Sequence, residues 1–390
     1  MATLISIIFV VIFTVFLNAA TSLGFLSVIA LVAGALFFLM TPLIKGMTML
    51  PLQAASVESS SKALHFARRD MKLNFLTLVW ISFALFSFFV AAFSSDWLFI
   101  IWVIWLGLSI DAIYLYTRFA TGYADPFHLI EVFVKRGNGF FAEKNHKEFC
   151  TTIDGLGEIC LKALYQRSIP LAIEGITALD RLTEDYLKEK NQEGSEVISS
   201  VSYTLGFLLH RLQMIFDQAA EDRLEPLANQ VVLSTSKLTL AVARYDAELT
   251  SLPLHFLEKF METAKEYDLK EVSLNSSIIL LEVAKSVLED PDLREREIGT
   301  LMFAVIEQLE RIAKETFRED KNIPINLLTE PFMELKTLLD TKIPPFPDSR
   351  AIAADLERVL VEFQALESVL KSVPNIPGYS EVPAEETSES

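Results

Sequence analysis

The sequence predicts an all-α protein in two parts: a four-helix transmembrane region of two helical hairpins, then a cytosolic α-helical bundle or helical-hairpin stack. Three observations carry this. The 390 residues are 51% hydrophobic with a mean hydropathy of +0.36, yet 22% are charged, so apolar and charged residues must be segregated along the chain. Of the 34 Lys and Arg and the 51 Asp and Glu, residues 1–120 hold only six and four. Beyond Tyr123 apolar residues recur every three or four positions without alternating β-branched runs, which is the helical period.

The first hairpin is expected within residues 1–44, which contain no charged side chain. At a rise of about 1.5 Å per residue that length crosses a bilayer core of about 30 Å twice. Spans are placed at 2–18 and 23–43, turning at Asn18-Ala19-Ala20-Thr21-Ser22, with Pro42 marking the exit. A cleaved leader is disfavoured because no Lys or Arg precedes the first apolar run and a second follows at once. The second hairpin is expected at 73–94 and 97–117, joined through Ser94-Ser95-Asp96. All four Trp residues fall in it, and Trp97 and the Tyr114, Tyr116 and Tyr123 group suit opposite membrane interfaces.

Orientation follows from positive charge in short loops. Lys45 to Lys72 contains five basic residues, including the membrane-surface candidates Lys62, Arg68, Arg69 and Lys72, whereas the hairpin tips contain none. Both termini are therefore placed in the cytoplasm. Val57 to Met71 reads either as an amphipathic helix along the headgroups or as a cytosolic extension of its neighbouring spans. Asp111 is the one ionisable residue well inside a span; it suits an ion path or, with Arg118 about two turns on, a pair at the inner interface. Ala30 and Gly34, with Gly107 on the fourth span, permit close helix packing.

Residues 121–372 are expected to form the acidic helical domain, with helices near 126–135, 139–149, 154–167, 170–189, 195–220, 224–248, 252–266, 271–289, 292–318, 324–341 and 349–372. Capping side chains stand just before prolines at Asp125-Pro126, Ser168-Ile169-Pro170, Ser251-Leu252-Pro253, Asp290-Pro291 and Asn322-Ile323-Pro324. Arg136-Gly137-Asn138-Gly139 reads as a turn. Two heptad stripes, Ile298-Met302-Val305-Leu309-Ile312 and Ile352-Leu356-Val359-Phe363-Leu366-Leu370, suit either intrachain packing or self-association. Residues 373–390, with four acids and no base, are expected to be a disordered acidic tail.

No phosphate-binding loop, zinc, serine-hydrolase or CxxC pattern occurs, so no catalytic residue, metal or cofactor is assigned. Cys150 and Cys160 read as free thiols in a reducing compartment, although His146 and Cys150 share a helical face. The acidic surface argues against nucleic acid.

The stretch Asp154-Gly-Leu-Gly-Glu-Ile-Cys-Leu-Lys-Ala-Leu-Tyr-Gln-Arg-Ser-Ile-Pro-Leu-Ala-Ile-Glu-Gly-Ile-Thr-Ala-Leu-Asp-Arg181 resembles an uncharacterised bacterial family of predicted membrane proteins. That family joins the two helices by Asn-Asp-Pro, where this chain has Ser168-Ile169-Pro170. The resemblance implies a multi-pass protein of a bacterial inner membrane and brings no activity. The expected function is a membrane protein that presents a cytosolic interaction or scaffold domain to a protein partner or a second copy of itself. The alternative is an oligomeric channel or transporter with Asp111 near the path and the cytosolic domain as its gate.

Overall fold

The structure, a computed structural model, describes residues 23–58, 60–93, 95–142, 146–193, 198–246, 248–296, 298–319, 321 and 323–372. Among them helix is the only regular secondary structure, so the chain is all-α. Contacts group it into two units, Met1–Arg136 with Asp154–Glu174, and Gly137–Ile153 with Gly175–Ser390.

Four helices lead the first unit: α1 (Leu23–Glu58), α2 (Ser61–Arg69), α3 (Met71–Phe93) and α4 (Asp96–Gly122). Three are long and apolar enough to cross a membrane, over Leu26–Leu50, Met71–Phe93 and Asp96–Gly122. The span expected at 2–18 lies outside the described residues. Helix α1 does not end at Pro42 but continues through it and through Pro51 to Glu58, which places Lys45 on a helix and not in a loop. A proline removes one amide donor and leaves the other rungs of the ladder intact. Nearby hydroxyls add local bonds, Thr41 to the Phe37 carbonyl at 2.8 Å and Thr48 to the Ile44 carbonyl at 2.9 Å.

Small residues let α1 meet α3. Ala30 is fully buried. A Cβ at Gly34 would stand 2.8 Å from the Ser87 Cβ, so the two backbones approach more closely than two ordinary side chains permit. The Ser87 hydroxyl donates to the Phe83 carbonyl at 2.9 Å and accepts from the Trp102 indole at 2.7 Å, which links α3 to α4. Phe37 meets the edge of Phe83, and Phe83 also packs on Trp102. The opposite surfaces stay apolar and open, with Leu39, Leu43, Met47, Phe75 and Leu85 each more than half exposed.

The remaining helices are α5 (Pro126–Ala142), α6 (His146–Tyr165), α7 (Ile169–Glu193), α8 (Ile198–Glu221), α9 (Glu225–Tyr245), α10 (Ser251–Glu266), α11 (Lys270–Glu289), the single turn α12 (Pro291–Arg294), α13 (Gly299–Glu319), α14 (Ile325–Thr341) and α15 (Ser349–Ser372). Where three helices were expected between 126 and 167, two form. Arg136-Gly137-Asn138-Gly139 lies inside α5, and Asp154-Gly155 lies inside α6. Both glycines serve close approach and not a turn: a Cβ at Gly137 would stand 2.4 Å from Leu182 Cδ1, and one at Gly155 would stand 2.4 Å from Phe133 Cε1.

The helix expected at 292–318 is also interrupted. Arg296 turns its guanidinium to the final carbonyls of α9, at 2.6 Å from Arg244 O. Asp348 then accepts from the Gly299 amide at 2.8 Å and caps α13. Two of the expected proline starts carry their side-chain caps, Asp125 to the Phe127 amide at 3.1 Å and Asp290 to the Asp292 amide at 3.1 Å. Helices α6, α8 and α10 end alike, with Arg167, Arg223 and Asp268 in the left-handed region at φ of 57°, 54° and 57°. In each, the next amide reaches back to an alanine carbonyl at 2.8 Å, Ala163, Ala219 and Ala264 in turn. These are Schellman closures made without glycine.

The first four positions of each heptad stripe pack inside the chain. Ile298, Met302, Val305 and Leu309, and Ile352, Leu356, Val359 and Phe363, are all buried, with Phe363 stacked near Phe332 of α14. Further along the two stripes Ile312 and Leu366 are half-buried.

Candidate functional site

The densest polar constellation in the first unit gathers around α2, between α1 and α3 in sequence. The α2 N-terminus leaves backbone N–H groups without helical partners. Ser60 satisfies one, accepting from the Lys62 amide at 3.2 Å. Glu158, from α6, fills the rest of the position. Its Oε2 accepts from the Ser61 amide at 3.0 Å, the Ser60 hydroxyl at 3.0 Å and the Ser61 hydroxyl at 2.9 Å, while Oε1 pairs with Lys162 at 3.1 Å. Burial alone would raise the Glu158 pKa; the Ser61 amide, Lys162 and the two hydroxyls outweigh it and hold the carboxyl below its usual range. A carboxylate there also faces the positive end of the α2 dipole. Lys62 pairs with Asp154 at 3.6 Å on the same helix as Glu158.

The α2 C-terminus is tied down separately. Phe66 is 1% exposed and meets the edge of Phe133 at 4.8 Å, and Arg136 covers its ring at 4.8 Å. Of the two readings of Val57 to Met71, the apolar face suited to the headgroups packs through Phe66 and Ala67 on protein. The Arg136 guanidinium donates to the Phe66 carbonyl at 3.0 Å and stands 3.9 Å from Asp70, to which the Tyr123 hydroxyl also donates. Burial, and then the hydrogen bond to Asp70, push the Tyr123 phenol well above its ordinary value, so it stays a donor. Asp70 accepts at its other oxygen from the Lys72 amide, 2.8 Å away, and begins α3.

The candidates named from sequence are placed as follows. Lys62 is half-buried in its ion pair; Arg68, Arg69, Lys72 and Arg118 are exposed. Asp111 is half-buried on α4 and already engaged by a neighbouring group. Gly107 lies on the buried face of α4, and Ala30 and Gly34 lie between α1 and α3. The roles of Glu158, Tyr123 and Arg136 were not legible in the sequence, where Tyr123 read as an interfacial aromatic, because the groups they join across helices lie 13 to 98 residues away.

In the second unit two acids stand out. Asp180 on α7 accepts from the Ser234 hydroxyl on α9, and burial raises its pKa from the ordinary 3.8 to about 6, with Ser234 and Lys237 opposing. Between those pH values the folded chain keeps a proton that the unfolded chain has released. Stability from this group therefore falls as pH rises from about 4 to about 6, by on the order of 2–3 kcal/mol. Asp180→Asn is expected to match the parent at pH 4 and to exceed its unfolding midpoint at pH 8; equal pH profiles for the two proteins would refute this. Glu310 is 8% exposed and joined to Arg358 at 2.9 Å and to Lys314, and it lines a groove of about 1020 Å³ between α13 and α15 together with Phe303, Ala351 and Ala354. Burial would raise its pKa, but the Arg358 and Lys314 bonds lower it. The groove has both signs of charge: Lys314 and Arg358 pair with Glu310, Arg358 also pairs with Asp355, and Arg311 pairs with Glu258 outside it.

Cys160 is buried against the Ala172 carbonyl, and burial pushes the half-buried Cys150 thiol up, away from the thiolate that a nucleophile needs. Among the described residues no group of three or more His, Cys, Asp or Glu is placed to hold a metal.

No protein-family model matches the chain, and no curated protein matches it in sequence. Among solved structures it is similar to a circular tandem repeat protein with novel repeat topology and enhanced subunit contact surfaces. That likeness has 17% identity over 95% of this chain and 87% of the other, with a TM-score of 0.42.

Proposed function

We propose that the chain is a multi-pass membrane protein that anchors an acidic helical module at the cytoplasmic face, where the module serves as an interaction or scaffold domain for a protein partner or a second copy. The observation that carries this reading is the set of three helices long and apolar enough to cross a bilayer, with open apolar flanks that only lipid or protein can cover favourably. The hairpin expected within residues 1–44 makes the span count four, and an even count keeps both termini on the side of the basic residues. Short connections and buried helical stripes in the second unit favour a rigid module over a catalytic one. The full-length chain is expected to resist extraction by carbonate and high salt and to be released by detergent, with a reporter fused after Ser390 active only in the cytoplasm. Recovery of the chain in the soluble fraction would refute the reading.

A further inference from the structure

Resting on the reading that α1, α3 and α4 cross a bilayer, we propose that Arg68, Lys72 and Arg118 form a docking site for the headgroup of an anionic phospholipid. The three lie at the same end of α3 and α4, in the last turn of α2, the first turn of α3 and the end of α4. Lys72 Nζ lies 5.6 Å over the ring of Phe119, the residue next to Arg118. The Asn74 amide donates to the Arg68 carbonyl at 3.2 Å and ties the last turn of α2 to the first turn of α3.

The charges there are uncompensated. Among the described residues none of the three makes an ion pair. Asp70 has one oxygen engaged by the Lys72 amide and the other by Tyr123 and Arg136. The exposed apolar surface begins at the same level, with Met71 84%, Phe75 64%, Tyr114 64% and Phe119 39% exposed. Cations bordering exposed aromatic and aliphatic side chains match the boundary between phosphate and acyl chain. A soluble anion would leave Phe75 and Tyr114 uncovered, and a net charge of −17 repels free anions at long range. A lipid is also held by the burial of its acyl chains, which offsets that penalty.

The test uses the full-length protein in neutral-detergent micelles doped with phosphatidylglycerol or with phosphatidylcholine, with thermal unfolding followed against lipid fraction. Phosphatidylglycerol is expected to raise Tm at a lower fraction than phosphatidylcholine does. Each charge is worth about fivefold, so the Arg68→Gln/Lys72→Gln/Arg118→Gln variant needs roughly a hundredfold more phosphatidylglycerol, with its phosphatidylcholine response unchanged. Arg118→Gln alone, at an exposed position, is expected to need about fivefold more and serves if the triple variant does not fold. Equal responses to the two lipids, a variant that keeps the full phosphatidylglycerol response, or the same shift from glycerol phosphate would each overturn the proposal. A chain that is soluble without detergent would overturn the membrane reading itself, and this inference with it.

Discussion

Gly155→Leu is expected to abolish recovery of folded full-length protein, and Gly155→Ala to lower its Tm by several degrees. A Cβ at this position would lie 2.4 Å from Cε1 and 2.6 Å from Cζ of Phe133. That ring has little freedom to move, since Phe133 is fully buried and also packs against Phe66, itself under Arg136. Overpacking of this kind costs about 1–3 kcal/mol for small additions and more for larger ones. Against it stands the gain in helix propensity from Gly to Ala, about 1 kcal/mol, so the alanine variant loses up to about 2 kcal/mol net and the leucine variant several times that. Phe133→Leu makes room, and Gly155→Ala/Phe133→Leu is expected to be more stable than the two single effects summed. Additive effects, or an alanine variant as stable as the parent, would show that the contact does not limit packing.

Arg136→Met is expected to cost about 2–4 kcal/mol, the second largest effect of a single change. The guanidinium holds three things at once: the Phe66 carbonyl, the Phe66 ring and Asp70. With side-chain exposures of 22% for Arg136 and 20% for Asp70, the pair is mostly withdrawn from water. Removing the cation leaves a carboxylate with Tyr123 and one backbone amide as partners, which is worse than removing both charges. Asp70→Asn/Arg136→Met is therefore expected to recover about half of the loss, and Arg136→Lys to recover little, because a single ammonium cannot span the carbonyl and the carboxylate as a planar fork does. Thermal unfolding of the parent, Asp70→Asn, Arg136→Met and the double variant as a double-mutant cycle measures this. A coupling near zero would mean that Arg136 acts through the Phe66 ring alone.

The sequence was legible wherever the determinant is local. Hydropathy and the helical period are properties of a window, so the all-α class and the apolar helices at 71–93 and 96–122 follow from the residues in them. Capping is local too, as Asp125 and Asp290 show. Pro42 and the paired glycines misled for one reason: each is a helix breaker by propensity, and propensity is worth about 1–3 kcal/mol, which packing and the intact rungs on either side readily exceed. Gly34, Gly137 and Gly155 are small because another helix passes close by, and the sequence does not say which.

By itself, then, the sequence determined the segregation of an apolar part from an acidic helical part, because burial and solvation act on each segment's own composition. Only the tertiary structure decided that Glu158 caps α2, that Arg136 clamps Asp70 and Phe66, and that the first four positions of each heptad stripe pack inside the chain. Those outcomes depend on which distant groups meet, and a hydrogen bond or ring contact is spent within about 4–5 Å, a range that separation along the chain cannot predict.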